Sequence, residues 1–273
     1  MKDERIFQRQ VVRFASLPDF LETGKQLPIP AKFSKDRGSW YGNESPETCF
    51  GRRYLGDPSL VPEATSFLSG IERLQTLNVH MADWVPSPFG AYPMVEDYLN
   101  GSPEPMRRKQ IVERDTSALR IIVNGTSSAG VDAKDLIRRG LVISAFVHAL
   151  GAVRPVELWQ LIDGDGRLGF SAVLWPLATS PLDLALTCWA LSSQRLARGF
   201  GYDFIGWSND FRGGWPWGKH NHLSTIPQLY SILDLNPEDI YIPSVHLDDK
   251  IIKQPKAWLE EVLEKHLPPL AGT

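Results

Sequence analysis

Cysteine is scarce in this chain: Cys49 and Cys188 are the only two among 273 residues, far apart and in no metal-ligand spacing. That excludes a disulfide framework and a cysteine-based zinc site, and it makes a reducing cytoplasm the expected setting. Long apolar runs are missing as well. Each is broken by Arg, His, Gly or Ser before the roughly 20 residues that a membrane span needs, and the start Met1-Lys2-Asp3-Glu4-Arg5 lacks the apolar core of a secretion signal. Membrane insertion and secretion are therefore set aside. Neither sign of charge dominates, because 29 Lys+Arg face 32 Asp+Glu for a formal net charge of -3. Proteins that coat duplex DNA carry a basic surplus to displace counterions, so that class is disfavoured. Also absent are a phosphate loop ending in Gly-Lys-Ser/Thr, a Gly-x-Ser-x-Gly elbow and a His-Glu-x-x-His pair. These absences point away from an enzyme.

What is present is an ordinary folding composition, 42% apolar and 22% charged, together with nine Trp, 22 Gly and 21 Pro. The length allows one large or two small domains with a sizeable core. Nine Trp imply a large aromatic core or aromatic-lined loops that contact something.

Residues 1–106 read as a helical and Pro/Gly-rich N-terminal extension. Its first helix is expected from the apolar spacing of Phe7, Val11, Val12, Phe14 and Leu17, a second from Ser45-Pro46-Glu47, and a third from Pro62 to Leu77. Residues 107–273 read as an α/β domain, the two forming one unit. Leu119 to Val123 predicts a strand that ends in the polar turn Asn124-Gly125-Thr126-Ser127-Ser128, and Val131 to Leu150 predicts a long helix with His148 in its core. Val156 to Ile162, the turn Asp163 to Gly166 and Gly169 to Leu177 predict a hairpin. A helix over Pro181 to Ala197, a strand over Asp239 to Pro243 and a helix over Pro255 to His266 complete the pattern. Strands alternating with buried helices indicate a layered α/β sheet.

Asn124, Thr126 and Ser128 alternate on a turn at the carboxyl end of a strand, where open α/β sheets bind ligands. The plain reading is a polar turn that caps the following helix. The turn also resembles the first motif of von Willebrand factor A-type domains, Asp-x-Ser-x-Ser, and the long helix and hairpin follow in that family's order over residues 117–200. The resemblance implies a Rossmann-type mixed sheet flanked by helices, and a magnesium ion held by Asn124, Thr126, Ser128 and Thr179. Here Asn124 replaces the leading carboxylate and no later strand ends in an obvious second Asp, so the site is expected to be degenerate, with no cofactor bound.

A second likeness spans nearly the whole chain. Trp40-Tyr41-Gly42, the run Gly56 to Pro62, Gly90-Ala91-Tyr92-Pro93, the run Tyr98 to Pro103, Met106-Arg107-Arg108, Arg138-Arg139-Gly140 and the run Arg154 to Leu158 resemble a family of tailed-phage proteins of no established general activity. Within that bacteriophage group the likeness extends to proteins of lytic podoviruses that bind single-stranded DNA and recruit the viral RNA polymerase. It implies action in the cytoplasm of the infected bacterial host.

The segment from Trp207 to His222 interleaves aromatics, cations and glycines, including Arg212, Trp215, Trp217, Lys219 and His220. Rings that stack on bases and cations that meet phosphates hold single strands in this way; the alternative is a loop anchored by its aromatics over the sheet. Arg107 and Arg108 are either a solvated strand edge or a phosphate contact. His220 and His222 lack a third ligand for zinc. Asp163, Asp165 and Glu157 could form a nuclease carboxylate set, though Asp-Gly-Asp-Gly is the common composition of a turn. Asp248-Asp249-Lys250 reads as solvated surface. Taken together, the expectation is a non-enzymatic phage protein that binds single-stranded DNA and a viral protein partner, RNA polymerase, in transcription regulation or replication. The alternative is a protein-interaction module.

Overall fold

In the computed structural model the described residues are 10–27, 38–69, 71, 84–88, 92–109, 118–128, 130–152, 154–166, 169–179, 182–208, 230, 231 and 233–267. Strand β1 (Gln10–Arg13) leads into helix α1 (Leu17–Gln26), where the Ser16 hydroxyl accepts from the Asp19 amide at 3.2 Å. The apolar spacing expected to begin a helix here is thus a strand first. Helix α2 (Pro46–Arg52) starts as Ser45-Pro46-Glu47 predicts, with the Ser45 hydroxyl accepting from the Thr48 amide at 3.1 Å. Helix α3 (Val61–Ser66) covers the beginning of the third expected helix; residue 70 and residues 72–83 lie outside the described set.

Three short strands form a separate sheet in the order β2-β4-β3: β2 (Trp84–Ser87), β3 (Tyr92–Pro93) and β4 (Met106–Lys109). Helix α4 (Val95–Leu99) lies between the last two in sequence. Met106, where the N-terminal extension was expected to end, opens β4, whereas β1 from that same extension joins the main sheet.

The main sheet is built from the centre of the chain. Strand β5 (Leu119–Asn124) is followed by helix α5 (Ala133–Gly151), strand β6 (Val156–Gly166) and strand β7 (Gly169–Thr179). Helix α6 (Leu184–Ser192), a π-helix (Arg195–Gly201) and helix α7 (Tyr202–Ser208) come next. Strand β8 (Ile240–Ile242), helix α8 (Lys250–Lys253) and helix α9 (Pro255–His266) follow. The order is β1-β7-β6-β5-β8, with β5 parallel to both β6 and β8, and β7 antiparallel to β6. This is an α/β architecture with a mixed five-stranded sheet flanked by helices.

Two elements differ from expectation for clear reasons. Pairing continues through Asp163↔Ala172 to Gly166↔Gly169, so Asp163 and Gly164 belong to the ladder and the hairpin turns later. The helix expected over Pro181 to Ala197 divides at Ser193, and the π-helix brings the backbone onto β6. A Cβ at Gly201 would stand 2.6 Å from the Ile162 side chain, which only glycine avoids.

One face of the sheet carries the main core. Phe20 stacks on Trp175 with centroids 3.9 Å apart, and Phe146, Val147, Leu158, Ile162 and Ile242 pack in the same cluster. Each such side chain contributes about 1.5–3 kcal/mol when fully buried. Helices α5 and α6 meet so closely that a Cβ at Gly140 would lie 2.4 Å from the Leu191 carbonyl oxygen. His148, expected in this core, is exposed: it falls on the solvent side of α5, between buried Val147 and Ala149. Among the described residues no helix is long and apolar enough to cross a membrane.

Candidate functional site

From β5 the chain goes to β6 on one side, while β8 returns on the other, so the sheet changes direction at β5 and opens a crevice at its carboxyl end. The turn that follows β5 fills it. Asn124 is 1% exposed; its Nδ2 donates to the Tyr241 hydroxyl at 2.9 Å and its Oδ1 accepts from the Thr126 amide at 2.9 Å. The Thr126 hydroxyl donates to the Asp163 carbonyl at 3.2 Å and accepts from the Asp163 amide at 2.9 Å. The Ser127 amide donates to the Tyr202 hydroxyl at 2.9 Å, which donates back to the Ser127 carbonyl at 3.0 Å. Backbone bonds join this loop to the one after β8: the Val245 amide donates to the Thr126 carbonyl at 2.8 Å, and the Ser128 amide to the Val245 carbonyl at 3.1 Å.

Two arginines complete the closure. Arg139 of α5 donates from Nε to Asp249 Oδ2 at 2.9 Å, and from its terminal nitrogens to the carbonyls of Pro243 at 2.6 Å and Asn124 at 3.5 Å. Arg198 of the π-helix donates from Nε to the Ser127 hydroxyl at 3.1 Å, and from one terminal nitrogen to the carbonyls of Val131 at 2.7 Å and Ser128 at 3.3 Å. Its guanidinium carbon lies 4.0 Å from the Trp40 ring centre. Burial pulls the pKa of both guanidinium groups down, with Asp249 opposing it at Arg139. Burial pushes the hydroxyls of Tyr241 and Tyr202 up, so both remain neutral hydrogen-bond partners.

The donor set does not fit the magnesium ion that the sequence resemblance implies. Asn124 brings no charge, the Thr126 hydroxyl is spent on β6, and the Ser127 hydroxyl accepts from a guanidinium. The Ser128 hydroxyl faces the Gly130 amide at 3.5 Å. Thr179 does not join this cluster. Its backbone pairs with Glu157, whereas Asn124 pairs with Leu161, which is roughly 13 Å further along β6. An antiparallel return strand ends where its partner began, so Thr179 sits at the opposite edge of the sheet. Extended geometry also separates Glu157 from Asp163 by roughly 20 Å along one strand, too far for one metal centre. Among the described residues no group of three or more His, Cys, Asp and Glu is placed to hold a metal ion.

The family model described as Domain of unknown function (DUF7192) matches residues 3–267. The chain belongs to this family. Comparison with curated proteins and with solved structures gives no match.

In this family member sequence reasoning found the turn but missed what holds it. Asp249, expected on the surface, has a 9% exposed side chain, while neighbouring Asp248 is 93% exposed. Arg139, between Leu136-Ile137 and Leu141-Val142-Ile143 on a helix of apolar character, was the available signal for a buried partner. Arg212, Trp215, Trp217, Lys219 and His220 lie outside the described residues; α7, whose first residue Tyr202 accepts a hydrogen bond from the Ser127 amide, precedes them in the sequence. Arg107 and Arg108 lie on β4, opposite Pro86 and Val85 of β2. A groove of about 980 Å³ runs beside β8 and α9; Arg139, Tyr241, Pro243 and Asp249 form part of its wall, with Arg154 and Lys265 among its other basic residues and Glu238, Asp248 and Glu261 among its acidic ones.

Proposed function

We propose that this chain is a non-enzymatic accessory protein of a tailed phage that binds single-stranded DNA through the segment Arg212 to His220. In this reading it works with a viral protein partner, RNA polymerase, in the cytoplasm of the infected host, and its core is von Willebrand A-like. The order β7-β6-β5-β8, with β7 reversed and α5 joining β5 to β6, supports that core. The phage setting rests on the run of motifs from Trp40 to Leu158.

One observation supports this reading. The crevice where an open α/β sheet takes its ligand is filled by the chain's own side chains, and α7, whose first residue Tyr202 is hydrogen-bonded to that loop at Ser127, is followed in the sequence by a segment of tryptophans and cations. In this reading binding falls to the tryptophans and cations that follow α7 in the sequence, where stacking tolerates any base. Trp217→Ala weakens single-strand affinity by about 1–3 kcal/mol in fluorescence anisotropy and leaves the melting temperature unchanged. Lys219→Ala instead lowers the salt dependence by about one counterion. If Trp217→Ala unfolds the protein without touching affinity, the ring belongs to the core and the reading fails.

The groove beside β8 favours a second reading, a protein-interaction module. Exposed Val95, Tyr98 and Leu99 on helix α4, outside that groove's lining, also support this reading. Absence of single-strand binding at low salt would make this the better account.

A further inference from the structure

We propose that Arg139 and Arg198 are built-in cations that close the carboxyl-edge crevice, doing with two guanidinium groups the cross-linking that a divalent ion would otherwise do there. The inference is independent of the nucleic-acid reading. The acceptors gathered by the pair include one carboxylate oxygen of Asp249, the Ser127 hydroxyl and the carbonyls of Asn124, Pro243, Ser128, Val131 and Trp40. Carboxylate, hydroxyl and carbonyl oxygens are the ligand types that a hard cation takes. Here they are already engaged with N–H donors, and each guanidinium spreads a single positive charge over a rigid fork that reaches several acceptors at once.

Both arginines are buried, at 4% and 1% exposure, and they come from elements distant in sequence. Arg139 ties α5 to the ends of β5 and β8 and to the start of α8; Arg198 ties the π-helix to the loop after β5. A divalent ion entering this space would face two like charges and would have to displace their hydrogen bonds. The loop after β5 is consequently tethered to α5, β8 and the π-helix without metal.

The test reads the loop directly by amide hydrogen exchange at Gly125, Ser127 and Ser128, whose N–H groups donate to Leu161, Tyr202 and Val245. In the wild-type chain these amides are protected, and protection and melting temperature are the same in millimolar Mg²⁺ as in EDTA. Arg139→Lys and Arg198→Lys keep the charge but lose the fork, and each speeds exchange at these amides by at least about tenfold. Asn124→Asp stays insensitive to Mg²⁺, because Thr126 remains committed to β6. A Mg²⁺-dependent rise in the melting temperature of wild type overturns the proposal, as does gain of such a rise in Asn124→Asp. Unchanged exchange in both lysine variants overturns it too. Should a lysine variant fail to fold, the wild-type comparison and Asn124→Asp decide the matter alone.

Discussion

Replacing Asp249 by Asn probes the crevice with the smallest change in shape. Among the described residues the carboxylate is the one anionic acceptor that Arg139 contacts, at 2.9 Å, and both side chains are nearly inaccessible, at 9% and 5% exposure. Removing one partner of a buried pair leaves the other charge uncompensated, which costs about 3–5 kcal/mol. Arg139 keeps the Pro243 and Asn124 carbonyls, so the lower end applies, about 3 kcal/mol. Asp249 has a second role, since its Oδ1 accepts from the Ile251 amide at 2.7 Å and caps α8. An asparagine oxygen can still cap; an alanine cannot. Asp249→Ala therefore loses about 1 kcal/mol more than Asp249→Asn, and the difference isolates the cap. At about 2–4 °C per kcal/mol, Asp249→Asn lowers the melting temperature by roughly 6–12 °C, measured by calorimetry with urea unfolding as a second readout. A loss below about 0.5 kcal/mol would refute the reasoning, because it would place the pair among surface ion pairs of small worth.

Glu44 is a second junction: its carboxylate accepts from Trp189 Nε1 at 2.7 Å and from the Ser193 hydroxyl, joining the N-terminal region to α6. Glu44→Ala strands both donors and costs about 3 kcal/mol in urea unfolding, whereas a near-neutral result would mean that water reaches them freely. Asp203 sets a pH dependence. Burial raises its carboxyl from 3.8 to about 7, with Arg195 opposing, so between these values the folded state holds the proton that the unfolded state has lost. The contribution of Asp203 to stability therefore falls as pH rises from about 4 to about 7. Asp203→Asn removes that slope, raising the melting temperature over wild type at pH 8 but not at pH 4, and parallel curves for the two proteins would contradict the assignment.

The parts of the fold legible in the sequence are those where local signals and tertiary demand agree. Ser45 before Pro46 marks a cap and makes one, and the β-branched run before Asn124 is a central strand with a partner on each side. Strand β1 was not legible, because Val11 and Val12 fit a helical spacing and only the free edge of β7 makes them a strand. The hairpin was read too short since glycines at 164 and 166 look like a turn, yet the ladder runs through them. At the crevice the turn was visible as a cluster of hydroxyls. Its partners Arg139, Arg198, Tyr202, Tyr241 and Asp249 were not, because they are contributed by elements far apart in the chain. Thr179 was assigned by order of appearance, which cannot reveal that an antiparallel strand carries it back to the other edge.

The central claim is that this chain holds single-stranded nucleic acid despite a net charge of -3. Fluorescence anisotropy with single- and double-stranded oligonucleotides of matched sequence, each at low and at moderate salt, tests it most directly. The account predicts saturable binding of the single strand at both salts, weakened but not abolished by added salt, and much weaker binding of the duplex. No binding of the single strand at low salt, or equal binding of both forms, would contradict it.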